Sequence, residues 1–204
     1  GAPEQIVAFD TGPGNMVIDR LAELVSGGRL RCDLDGWLAA AGTPDRKLLS
    51  ARLRDAYFKL PPPKSTGRER FGRDFADRLL ADGRAAGLAD EDIVATATAL
   101  TAESIAGAFA RHLPGPVDEV IVSGGGAMNP TLMDELRQLL APARVIGAGE
   151  IGLDPEAKEA LAFAMLAVET VHNRPNNAPA ATGAAHAAVL GKIVPGRGGR
   201  TLAP

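Results

Sequence analysis

The apolar run Ile6-Val7-Ala8-Phe9 stops at a carboxylate, Asp10, and the chain then passes through Thr11-Gly12-Pro13-Gly14. Such a run bounded by turn residues predicts a short strand. Beyond it Met16, Val17, Ile18, Leu21, Leu24 and Val25 recur at helical spacing until Gly27-Gly28, with Asn15 placed to cap the helix. A further helix is expected from Thr43-Pro44 to about Phe58, where three prolines end it. The stretch PPPKSTGRERF, residues 61 to 71, carries too much Pro, Gly and charge for a regular element and reads as a loop, followed by a helix from Arg73 to Ala86. Asp90-Glu91-Asp92 puts acid on the positive end of a long helix whose apolar stripe is Ile93, Ala97, Leu100, Ile105, Phe109 and Leu113.

A second strand-glycine-helix unit follows: Val117 to Val122, then SGGGAMNP, then TLMDELRQLL, with Asn129 as cap and Pro130 as first helical residue. Ala143 to Ile146 is a short strand. Asp154-Pro155 opens a helix to about His172 that is apolar nearly all round, through Leu161, Phe163, Met165, Leu166 and Val168, and such a helix should be buried. From Asn173 the composition turns to Asn, Pro, Ala and Gly, so the chain divides into a lobe over residues 1–173 and a C-terminal segment over 174–204 whose end, GRGGRTLAP, should fray. Strands alternating with helices predict an α/β layer structure with ligands near the carboxyl ends of the strands. Three strands are few for a stable sheet.

Composition changes this picture little. The 204 residues suffice for one large domain or two small ones, and 46% apolar with 23% charged residues and a net charge of −3 excludes a disordered or polyanion-coating protein. No nucleic-acid partner is implied. The single Cys32 forms no internal disulfide and supplies no thiolate metal cluster, which suits a reducing cytoplasm. A basic, apolar leader is absent, as is a run approaching the ~18 apolar residues of a membrane span, so the expectation is a soluble cytoplasmic protein without membrane contact. A chain that opens with Gly1 and enters a strand at once reads as cut from something longer.

Candidate chemistry lies in the two glycine turns. Gly124, Gly125 and Gly126 follow a strand and precede a helix, where backbone N–H groups can approach a phosphate; the residues alone leave nucleotide contact and a plain tight turn both open. The sequence contains no GxxxxGK[ST], and GGGAMN fails the GxGxxG spacing. Turn and cap chemistry explains Gly12, Pro13, Gly14 and Asn15 without a ligand, but not Asp10. A carboxylate there is placed as a general base for phosphoryl transfer. Lys64 to Glu69 mixes cations with hydroxyls in a loop, with solvated surface as the plain reading. Glu159 lies in the first turn of the apolar helix, where acid also suits the dipole. Asp33 and Asp35 look like a metal-binding DxD only superficially and suit a helix start better. His112, His172 and His186 lack partners at ligand spacing, so no metal is assigned to protein side chains.

In order, FDTGPGNMVID, PKSTGRERF, VSGGGAMNPTLM, DPEAKEALAFAMLA and NRPNNAPAATGA closely resemble the C-terminal half of bacterial anhydro-N-acetylmuramic acid kinases, over about Val7 to Gly191. That family belongs to the sugar kinase, Hsp70 and actin superfamily. The resemblance implies one ribonuclease-H-like, actin-like ATPase lobe of a two-lobed enzyme, with an incomplete sheet flanked by helices. It implies use of ATP, Mg²⁺ and water to open the 1,6-anhydro ring of anhydro-N-acetylmuramic acid and phosphorylate its 6-oxygen, giving N-acetylmuramic acid 6-phosphate in peptidoglycan recycling. Asp10 matches the family's catalytic aspartate and is expected to stand unpaired, leaving room for a water between it and the sugar. Gly12, Gly14 and Gly124 to Gly126 would lie along the nucleotide, and Glu159 and Asn15 would face the sugar. For KSTGRE the match carries no derived role.

Ala180 and Ala181 stand where the family commonly has Ser-Val, and Met128 replaces a frequent Arg. The family's phosphate-binding SGTSxDG segment and NIGGIAN strand are absent from these residues. The resemblance therefore implies a missing N-terminal lobe, supplied in cis or in trans, a homodimer when complete, and an inactive isolated fragment. The competing reading is a non-catalytic nucleotide-binding or interaction module derived from that lobe.

Overall fold

The computed structural model describes residues 6–154, 157–194 and 196. Its helices are α1 (Met16–Val25), α2 (Trp37–Ala41), α3 (Arg46–Leu53), α4 (Arg68–Phe71), α5 (Arg73–Ala85), α6 (Asp90–His112), α7 (Pro130–Leu139), α8 (Lys158–Val171) and α9 (Pro179–Thr182). Two parallel strands, β1 (Glu119–Val122) and β2 (Arg144–Gly147), pair with Val120 opposite Val145 and Ile121 opposite Ile146. The chain is α/β as expected, with α7 connecting the two strands.

Helix α6 is the hub. Every residue from Ile93 to Ala102 is buried, far more than the expected stripe, because α1, α2, α3, α5 and α7 all pack on it. A helix surrounded on all sides needs side chains small enough for close approach, and Ala95, Ala97, Ala99 and Ala102 supply them. Two of its buried hydroxyls are satisfied within the helix: Thr98 donates to the Val94 carbonyl (3.1 Å) and Ser104 to the Thr101 carbonyl (2.9 Å). By length and hydropathy α6 is also able to cross a bilayer, but 67% of that stretch is packed inside the molecule. A second, smaller core forms where Leu132, Met133 and Leu136 of α7 meet Ala102 and Val145.

Several boundaries differ from expectation. Residues 6–9 are not a strand, since no neighbouring strand pairs with them among the described residues; the Asp10 N–H instead donates to the Lys64 carbonyl (3.2 Å). The helix expected over 44–58 divides. Asp45 caps α3 by accepting from the Leu48 N–H (2.7 Å), and Asp55 starts a separate 3₁₀ turn, Ala56–Lys59, by accepting from the Tyr57 N–H (2.8 Å). The loop over 61–71 contains α4, drawn in by the fully buried Phe71, which stacks on Phe58 at 5.5 Å between ring centres. Asn15 occupies the cap position of α1 without making a side-chain cap bond. Asn129 caps α7 as expected, accepting from the Leu132 N–H (3.1 Å).

The largest difference is α8. Its apolar residues are exposed, Phe163 at 69% and Met165 at 63%, where burial was expected. Periodicity shows that the helix needs cover, and the described residues provide no element that covers it. Its last turn is tied instead to residues 176–190. Asn176 donates to the Leu166 carbonyl (2.9 Å) and Thr170 to the Leu190 carbonyl (2.6 Å), while Asn177 accepts from the Ala188 N–H (2.7 Å). These bonds give NRPNNAPAATGA a structural role that its composition alone did not reveal. The fraying expected for GRGGRTLAP lies outside the described residues except at Gly196.

A continuous exposed apolar face promotes association. The chain should therefore sediment with a weight-average mass that rises with concentration. The pair Phe163→Lys and Met165→Lys should suppress that rise while preserving the helical circular dichroism. Equal concentration dependence in parent and variant would remove α8 as the contact.

Candidate functional site

Asp10 is built into its position from the core outward. Phe58 packs with Tyr57, Phe71 and Phe75 in an aromatic cluster beneath it. A Cβ on Gly12 would lie 2.8 Å from Ser104 Oγ and 2.9 Å from the Phe58 ring, so only glycine lets the turn settle against α6. Thr101 of α6 donates to the Gly14 carbonyl (2.8 Å). The Tyr57 hydroxyl, on a residue only 3% exposed, donates to the Asp10 carbonyl (2.7 Å). Burial, with Asp10 nearby, raises the Tyr57 pKa, which keeps the phenol protonated as a donor.

The Asp10 side chain is not unpaired, contrary to expectation. The Ser65 hydroxyl (2.8 Å) and the Thr66 N–H (2.9 Å) both donate to Oδ2. This supplies the role that the KSTG motif lacked in the sequence. Oδ1 has no hydrogen-bond partner among the described residues. One oxygen is thus fixed and the other left available, an arrangement that orients a base without neutralising it. Lys64 anchors the loop by donating to the Tyr57 carbonyl (3.2 Å), with its Nζ 4.7 Å from the Tyr57 ring centre. Partial burial first, and Arg111 second, lower the Lys64 pKa. Asp10 lines a cavity of about 470 Å³ together with Phe9, Pro63, Lys64, Ser65 and Thr182. The Thr66 hydroxyl is buried without a partner among the described residues.

The second glycine turn meets the first through Asn15. Gly124 holds φ +83°, a left-handed conformation that favours glycine, and leads into a 3₁₀ turn, Gly125–Met128. Cβ atoms on Gly125 and Gly126 would stand 3.0 Å from Asn15 Nδ2 and 2.8 Å from Asn15 Oδ1. The Asn15 amide therefore lies flat against this turn rather than capping α1. Lys158, at the start of α8, reaches Ser123 Oγ (2.8 Å) on the same side. Glu159 is exposed beside it and lines neither this pocket nor the Asp10 cavity. No group of three or more His, Cys, Asp or Glu side chains is arranged to hold a metal among the described residues.

Asn15, Gly125, Gly126 and Met128 form one side of a cavity of about 310 Å³, with Asp19 of α1 and residues 32–35 on the other. Asp33 accepts from the Leu38 (2.7 Å) and Ala39 (3.0 Å) N–H groups, which fits the helix-start reading of that acid. Cys32 is exposed and unpaired. Asp19 was not singled out in the sequence. Burial, reinforced by the Asp33 charge, pushes its carboxyl up to about 6. Its side chain makes no hydrogen bond or ion pair among the described residues.

A raised carboxyl pKa means that the folded state binds the proton more tightly than the unfolded chain. Stability is therefore lost as pH rises from the ordinary value of 3.8 through about 6, and the cost is complete above that window. Asp19→Asn should stabilise the protein at pH 8 by ~1 kcal/mol, the linkage value being reduced because the group is half exposed. Near pH 4 the difference should close. Urea denaturation at both pH values checks this, and a variant no more stable than the parent at pH 8 contradicts it.

The model of the family described as anhydro-N-acetylmuramic acid kinase matches residues 2–196. Curated relatives of that name include one from Salinibacter ruber, 48% identical over 96% of this chain and 49% of the relative. Another, from Gloeobacter violaceus, is 47% identical over 96% of this chain and 50% of the relative. A third, from Caldanaerobacter subterraneus subsp. tengcongensis, is 44% identical over 95% and 49%. The chain thus spans about half the length of the curated relatives it matches. With five separated motifs, a matching family model and relatives of this identity in agreement, the chain belongs to the anhydro-N-acetylmuramic acid kinase family.

Proposed function

We propose that this chain is the part of an ATP-dependent kinase that carries the catalytic base for opening and phosphorylating 1,6-anhydro-N-acetylmuramic acid. The observation that supports this best is the Asp10 carboxylate, held through Oδ2 by Ser65 and Thr66 while Oδ1 has no partner beside an open cavity. Oδ1 takes a proton from water, the water oxygen attacks the anomeric carbon, and the bond from that carbon to the 6-oxygen breaks. The freed 6-oxygen then attacks the γ-phosphorus of ATP in line, with ADP leaving. The products are N-acetylmuramic acid 6-phosphate, ADP and the proton that Asp10 then releases to solvent, so atoms and charge balance with one water consumed.

In this reading the sugar occupies the Asp10 cavity, and Glu159 joins it when α8 is covered. Gly12 and Gly14 shape the turn toward the nucleotide phosphates, and Gly124 to Gly126 lie along the nucleotide with Asn15 fixing their turn. The residues present suit that group at one position: Gly124 has open space where a Cβ would stand, whereas beside Gly125 and Gly126 that space is taken by Asn15. Mg²⁺ carried on the phosphates would neutralise their charge, and such an ion needs few protein ligands.

Phosphoryl transfer depends on groups from both sides of the phosphate. The matched stretch is about half of each curated relative, which leaves length for a second side. We therefore propose a second, N-terminal part joined in cis or in trans, a ribonuclease-H-like fold for the joined lobe, the cytoplasm as its location, and a homodimer as the complete enzyme. The chain alone should turn over negligibly. Joined to the missing half, it should form sugar phosphate, and Asp10→Asn should lower kcat by ~10² to 10⁴ with nucleotide affinity kept. Turnover of the Asp10→Asn enzyme within about threefold of the parent would refute the base assignment and favour a non-catalytic module.

A further inference from the structure

We infer that residues 177–188 form a strap whose tip is a wall of the Asp10 cavity, and that Asn176 and Thr170, which fasten the strap to α8, are positioning residues for the sugar. The inference rests on the reading of the Asp10 cavity as the sugar site and adds what holds one of its walls in place. The tip is α9 with Gly183. Its residues Ala181 and Thr182 line the cavity together with Asp10, Pro63 and Ser65. A Cβ on Gly183 would stand 3.9 Å from Pro63 Cγ, so the tip lies beside the loop that carries Ser65 and Thr66.

Apolar packing does not hold this tip. Neither core cluster includes a residue of the strap, and none of residues 177–188 is buried. Within the tip the Gly183 N–H donates to the Pro179 carbonyl (2.9 Å) and the Thr182 hydroxyl to the Ala178 carbonyl (3.0 Å), bonds that close the turn without placing it. Placement comes from the base. The Asn177 side chain accepts from the Ala188 N–H (2.7 Å) and donates to the His186 carbonyl (3.1 Å), which draws the two ends together into a compact loop of the Ω kind. Asn176 then joins that loop to α8. Its amide nitrogen donates to the Leu166 carbonyl (2.9 Å) and the Thr170 hydroxyl (3.0 Å), while its oxygen accepts from the Leu190 N–H (2.6 Å). Thr170 completes the fastening by donating to the Leu190 carbonyl (2.6 Å). Gly191, at φ +102°, lets the chain pass so close that a Cβ there would stand 3.2 Å from Thr170. An amide both donates and accepts at this point; a carboxylate of the same shape would meet the Leu166 carbonyl without a proton. Asn176 and Thr170 line no part of the Asp10 cavity, yet they set where Ala181 and Thr182 stand in it. A wall displaced by about 1 Å is enough to spoil the placing of a reactant.

The test is steady-state kinetics of the chain joined to the proposed N-terminal part. Asn176→Asp and Thr170→Val should each raise the KM for the anhydro sugar ~10-fold or more, the scale of a lost hydrogen bond, with the KM for ATP within about threefold of the parent. Thr170→Ser, which keeps the hydroxyl, should hold the sugar KM within about the same threefold. A merely destabilised enzyme has fewer working molecules, which lowers kcat and leaves both KM values alone. That outcome, or an equal rise in the KM for ATP, overturns the inference. If neither fastening variant folds, Ala181→Leu decides: it crowds the wall with Asn176 and Thr170 intact, so it should raise the sugar KM alone, and an unchanged sugar KM overturns the inference. An active parent with indifferent variants refutes the strap and leaves the proposed function standing, whereas a joined parent without turnover overturns both.

Discussion

The rest of the structure depends on how tightly α6 is enclosed. Burying every residue from Ile93 to Ala102 requires five helices to close on one axis, and those helices then set where the loops between them emerge. The turn after Asp10 is fixed this way. Gly12 seats on Ser104 and Phe58, and Gly14 accepts from Thr101, so the middle of α6 sets the height at which Asp10 stands. Removing the close contact at Gly12 would move the carboxylate without touching it.

From that seat two loops converge on the site. The 3₁₀ turn at Ala56–Lys59 offers the Phe58 ring to Gly12 and the Tyr57 hydroxyl to the Asp10 carbonyl, and the following loop brings Ser65 and Thr66 to Oδ2. Asn15 couples the same turn to the glycines after β1. Asp10, the proposed base, and the candidate nucleotide turn are therefore parts of one packed unit. Preorganisation of this kind lets a carboxylate act without reorganising at the moment of reaction. Asp19, pushed up to about 6 in the neighbouring cavity, is the price in stability of keeping an acid at a pocket wall.

Much of this was legible in the sequence, and the failures have physical causes. Asn129-Pro130 and the acids at 90–92 gave true helix starts because caps and dipoles are local. The four-residue run before Asp10 did not become a strand, because pairing is non-local and depends on a neighbour the run cannot specify. Helix α8 showed the opposite limit: its pattern demands cover but does not say what covers it. Asp10, Asn15 and the glycines could be singled out as candidates, whereas their contacts could not. Ser65 reads as solvated surface until the fold brings residues 55 positions apart within 2.8 Å. Asp19 has no local signal, being one acid in an amphipathic helix, and only the cavity distinguishes it.

The central claim is that the Ser65 hydroxyl orients Asp10 through one oxygen so that the other works as a base. It is tested most directly by steady-state kinetics of Ser65→Ala and Ser65→Thr in the chain joined to the proposed N-terminal part. The account predicts that Ser65→Ala lowers kcat by ~10-fold or more, the scale of one hydrogen bond to a charged group, with the KM for sugar little changed and Ser65→Thr largely restoring the rate. An unchanged kcat in Ser65→Ala, or a loss expressed only in KM, would contradict it.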